Sequence, residues 1–71
     1  MSKHRTYFTL FIRENGRWAP QFGDYSVFVV RQEKSDRYDN GEAKIKDMKI
    51  VPTVDTQEAI NRACDRLNSK D

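Results

Sequence analysis

Residues 18–25, Trp18-Ala19-Pro20-Gln21-Phe22-Gly23-Asp24-Tyr25, decide how this chain can fold. They hold three of its eight aromatic residues (four Phe, three Tyr and one Trp in all), one of its two prolines and one of its three glycines. They also come just after Asn15-Gly16, the dipeptide that best tolerates the positive φ angles of a tight hairpin turn. Such a segment is either the corner around which a very small core is built or an aromatic surface offered to a partner.

Working outward, the stretch before the turn (RTYFTLFIR, Arg5 to Arg13) reads as a strand rich in aromatic and β-branched residues. Tyr7, Thr9 and Phe11 alternate with Phe8, Leu10 and Ile12, and the second set is wholly apolar and is expected to meet the core. Arg17 to Gln21 returns as a short strand that Pro20 restricts to a sheet edge. Tyr25 to Val30 has β propensity, but Gly23-Asp24 offers a helix start and Arg31-Gln32-Glu33-Lys34 continues with helix formers. Asn40-Gly41 supplies a left-handed stop. A helix over about 25–39 is the preferred reading, with Val27, Val30 and the Lys34 stem on its buried face.

Ala43 to Val51 reads as a third strand that Pro52 should end. In the closing segment Asp55 is the expected cap, with Glu58 three residues on and Val54 and Ala59 as a staple pair. Ala59, Ile60, Ala63, Cys64 and Leu67 then form one apolar stripe at helical spacing from about 56 to 68. The expected domain is a single small α+β unit of order β-β-α-β-α. It is read as two layers, a three-stranded sheet with both helices on one face, and frayed ends at about 1–4 and 69–71.

The bulk composition is consistent with this. Seventy-one residues make one domain near the lower size limit for unstapled folding, with 37% hydrophobic and 34% charged residues. The thin core makes a homodimer a reasonable expectation. A single cysteine forms no internal disulfide, which points to a reducing, cytoplasmic setting. No signal-peptide core and no membrane span is visible. Thirteen basic residues face eleven acidic ones, a net charge of +2, which permits nucleic acid as a partner without selecting it.

Catalytic and metal chemistry find little support. His4, the single histidine, lies ahead of the first strand with no expected partners, and Cys64 lies on an apolar stripe as an unactivated thiol. One Cys and one His do not make a tetrahedral zinc site. The stretch Asp36-Arg37-Tyr38-Asp39-Asn40-Gly41-Glu42 superficially resembles a calcium loop, but Tyr38 stands where an oxygen ligand is needed. The chain is therefore read as a non-enzyme without cofactor or metal.

Two binding surfaces are candidates. For protein contact the anchors are Arg17, Trp18, Tyr25 and Tyr38, since Trp, Tyr and Arg dominate interface energetics. Trp18 and Phe22 also have a structural reading, as core residues beneath the helices. For nucleic acid the alternative set is Lys44, Lys46 and Lys49 near the third strand, with Arg62 and Arg66 four apart on the last helix.

The segments TYFTLFIRENGRW, WAPQFGDY, KDMKIV and TQEAINRACDRLN, which together cover most of the chain, resemble short proteins carried by bacteriophages and prophages. The resemblance implies no assigned activity and no functional residue. The phage setting implies a small protein in the host cytoplasm that occupies a surface of a host or anti-phage defence complex, in the manner of anti-CRISPR proteins. Acidic DNA mimicry does not fit the positive net charge.

Overall fold

The structure is a computed structural model and describes residues 5–69. Of the ends expected to fray, 1–4 (with His4) and 70–71 lie outside the described residues, while Ser69 closes α2 with its hydroxyl donating to the Asp65 carbonyl at 2.7 Å. The elements are β1 (Thr6–Glu14), β2 (Arg17–Asp24), α1 (Val27–Asp39), a single 3-10 turn (Ile45–Asp47), β3 (Met48–Val54) and α2 (Gln57–Ser69). The α+β class and the β-β-α-β-α order are as the sequence predicts. The sheet is antiparallel with β1 central, in the order β2-β1-β3.

The Asn15-Gly16 turn forms as expected, with φ of 54° and 81° at its two central residues, the two-residue hairpin geometry. The α1 stop is also realised. Gly41 takes φ of 78°, its N–H donates to the Tyr38 carbonyl, and the Glu42 N–H donates to the Arg37 carbonyl. These paired bonds close the last turn as a Schellman motif.

Placement of the helices departs from expectation. One core unites Leu10, Ile12, Val30 and Met48, so α1 covers the even-numbered side of β1. The other unites Phe11, Trp18 and Ala63, flanked by Val51, Ile60, Cys64 and Leu67, so α2 covers the odd-numbered side. The helices therefore lie on opposite faces, and the two-layer arrangement is replaced by three layers. The reason lies in β1 itself. Leu10 and Phe11 are adjacent, point to opposite faces, and are both fully buried. A strand apolar on both faces needs cover on both faces.

β2 supplies both cores through a β-bulge. Leu10 pairs with Phe22 and Phe11 pairs with Pro20, which leaves Gln21 as an extra residue. In a regular strand Trp18 and Phe22 would share a face. The inserted residue reverses the alternation, so Trp18 enters the α2 core and Phe22 packs against the α1 core.

Several boundaries are also corrected: β2 runs on to Asp24, so Gly23-Asp24 ends a strand, and α1 starts at Val27 after Ser26. β3 begins at Met48 and passes through Pro52, because an edge strand tolerates a residue without N–H. Residues 45–47 are wound into the 3-10 turn, where the Asp47 N–H donates to the Lys44 carbonyl and Arg13 holds the Asp47 carboxylate at 2.8 Å. The α2 cap is Thr56, whose Oγ1 accepts the Ala59 N–H at 3.1 Å, and not Asp55. Asp55 instead accepts the Tyr25 hydroxyl at 2.9 Å. With the cap moved on by one residue, Val54 and Ala59 no longer occupy staple positions, and Val54 is exposed.

Candidate functional site

Trp18 is 5% exposed and is held by its backbone as well as its ring. Its N–H donates to Asn68 Oδ1 at 2.7 Å, while Asn68 Nδ2 and Cys64 Sγ donate to its carbonyl at 3.1 and 3.3 Å. The carboxamide of Asn68 thus takes the place of a neighbouring strand and closes the edge of β2 at this residue. Arg13 and Lys49 each lie 5.2 Å from the Trp18 ring centroid, and their stems cover what α2 leaves open. As an interface anchor Trp18 is therefore unavailable.

The other three proposed protein anchors do not converge. Arg17 is exposed at the hairpin end of the sheet. Tyr38 is 52% exposed near the end of α1, where it shares the wall of an open depression of about 610 Å3 with Lys44, Arg13 and Asp47. Tyr25 lies beyond the opposite end of β2, past the Asp24–Phe8 pair. It is half-engaged: Tyr7 meets it edge-on with centroids 5.0 Å apart, and the Arg5 guanidinium sits 4.4 Å from its ring. The hydrogen bond to Asp55 raises the Tyr25 pKa, because the phenol must keep its proton to donate, and the neighbouring carboxylate charge adds to the effect.

The basic residues are likewise dispersed. Lys44 and Lys46 belong to the 3-10 turn region and not to a strand, Lys49 lies against Trp18, and Arg62 and Arg66 are exposed on α2. Arg62 pairs with Glu58 at 3.3 Å, an exposed pair one helical turn apart.

The residues missed in the sequence are Phe28 and Val29. Val30 is fully buried against the sheet, and at about 100° per residue Phe28 falls on the far side of α1. Phe28 is 75% exposed and Val29 43%, while the 42%-exposed Tyr25, earlier in the chain, has its ring against Tyr7 and its hydroxyl on Asp55. Gln32 and Ser35 are exposed one and two turns on from Phe28, and the Gln32 carboxamide donates to the exposed Asp36 carboxylate at 3.0 Å. The signal was present in the wheel that buries Val27 and Val30, since the same wheel turns Phe28 to solvent.

Among the described residues no helix is long and apolar enough to cross a membrane. Compared with known proteins, the chain matches no family model, no curated protein and no solved structure.

Proposed function

We propose that this chain is a non-enzymatic binding protein that works by contact with another protein, and that the outward first turn of α1 is the contact surface. One observation carries the reading: Phe28 stands 75% exposed on a helix whose opposite side is buried. Covering such a ring is worth about 1.5–3 kcal/mol, and an aromatic side chain displayed this way is a typical anchor. Val29 extends the surface, and the exposed Gln32 and Ser35 follow it along the helix. The phage resemblance makes the partner a component of a host or anti-phage defence complex, with the chain as its modulator or inhibitor.

The test is capture from host cytosol by the wild-type chain and by Phe28→Ser, with the fold of each checked by circular dichroism. Capture that disappears in the variant and persists as salt is raised supports the reading. Capture that is indifferent to Phe28 removes it. Two other outcomes would redirect it. Binding of random duplex that weakens steeply with salt would assign the function to Lys44, Lys46, Lys49, Arg62 and Arg66. A mass that doubles with concentration in light scattering, and remains single in Phe28→Ser, would make a second copy the partner.

A further inference from the structure

The two edges of the sheet are finished differently. Arg13 of β1 pairs with Trp18, whose N–H and carbonyl both turn away from β1 to Asn68. In an antiparallel ladder, opposite residues either exchange both bonds or both turn away, and the two cases alternate along the strand. Arg13, Phe11, Thr9 and Tyr7 therefore turn towards β3, and Lys49, Val51 and Thr53 face back to the last three. Met48, Ile50, Pro52 and Val54 are left with their backbone groups on the outer edge.

The β2 edge is closed. Asn68 occupies it at Trp18, Pro20 offers no N–H, and the Gln21 bulge interrupts the run. The β3 edge is open. Among the described residues nothing bonds the outward N–H and carbonyl of Ile50 or the carbonyl of Pro52. The side chains beside them are uncovered as well, since Pro52 is exposed and Val54 is 49% exposed. An edge of this kind is a template for another strand.

We infer that the β3 edge pairs with the β3 edge of a second copy of this chain, antiparallel about a two-fold axis at Val51. The strand is self-complementary in that register. The Ile50 N–H donates to the second copy's Pro52 carbonyl and the Val54 N–H to its Met48 carbonyl, so Pro52, which cannot donate, serves as an acceptor. The Met48 N–H and the Val54 carbonyl already have partners in Ile45 and Thr53. The Ile50 carbonyl alone gains none, because it faces the second copy's Pro52. Met48 lies opposite Val54, Ile50 opposite Pro52 and Val51 opposite itself, which covers Pro52 and Val54. Lys49, the single charge of β3, lies opposite Thr53, whereas pairing centred on Lys49 would set like charges together. Each copy spends its one open edge, so assembly stops at the dimer. The contact is separate from the α1 surface and does not depend on it.

The experiment is sedimentation equilibrium of the full chain from micromolar to millimolar concentration, with amide exchange followed alongside. The mass should rise from one copy to two, and exchange at the Ile50 and Val54 amides should slow as it does. Thr53→Glu sets a carboxylate against the second copy's Lys49 on both sides of the axis and should tighten the dimer about three- to tenfold. Thr53→Lys should loosen it by a similar factor. Both variants lose the same threonine, so their opposite signs report the register, and circular dichroism checks the fold of each. Phe28→Ser should dimerise as the wild type does. A mass that stays single at millimolar protein or grows past two copies, or equal effects of the two Thr53 variants, would overturn the inference. So would a dimer that disappears in Phe28→Ser, which would put the second copy on the α1 surface.

Discussion

The two helices are both 13 residues long and about equally polar on average, yet they use their apolar residues differently. α2 collects Ile60, Ala63, Cys64 and Leu67 on one side and packs them against Phe11 and Trp18. α1 crowds Val27, Phe28, Val29 and Val30 into its first turn, so they point all round the helix and only Val30 is fully buried. A sorted helix is committed to its own sheet. An unsorted one leaves apolar surface uncovered, and the proposed contact role of α1 rests on this difference.

The comparison breaks most readily at Trp18. Trp18→Ala should remove about 3–5 kcal/mol, which is most of the stability of a domain this small, and should leave the chain largely unfolded in a urea titration. A folded Trp18→Ala protein would mean that α2 is not held as described. Next in size is Asn68→Ala, which strands the Trp18 N–H, leaves its carbonyl only the Cys64 thiol, and should cost about 1–3 kcal/mol by the same measurement. Thr9→Val should act in the opposite direction, raising stability by about 1 kcal/mol, because it removes a buried hydroxyl without a partner.

Phe28→Ser sharpens the contrast, since its predicted stability change is within about 0.5–1 kcal/mol even though a large apolar side chain is lost. A loss as large as that at Trp18 would place Phe28 in a core. The smallest effect is spectroscopic. Tyr25 should ionise above the ordinary tyrosine value of about 10, as followed by phenolate absorbance, and Tyr25→Phe should remove that late component. A raised folded-state value means that the Asp55 bond contributes fully below the ordinary value. That contribution fades as pH climbs through the raised one.

Much of this was legible in the residues. Asn15-Gly16 and Asn40-Gly41 marked the hairpin and the end of α1, because few residue types accept a positive φ. The α2 stripe was equally plain. The candidate site was less so. Residue type alone singles out Tyr25, Trp18, Arg17 and Tyr38, and type does not reveal that Asn68, fifty residues away, locks Trp18 into the sheet edge. Phe28 does not stand out in the sequence, because a run of four apolar residues reads as core until one of them is fixed against the sheet.

Local chemistry therefore determined where this chain turns, where its helices stop and which strand is most apolar, since each depends on the preferences of a few adjacent residues. Tertiary structure alone decided that the helices take opposite faces, that a single inserted glutamine sends Trp18 and Phe22 to different cores, and that Phe28 remains uncovered. These outcomes depend on strand register and on which surfaces meet, and both arise from contacts between residues far apart in the chain.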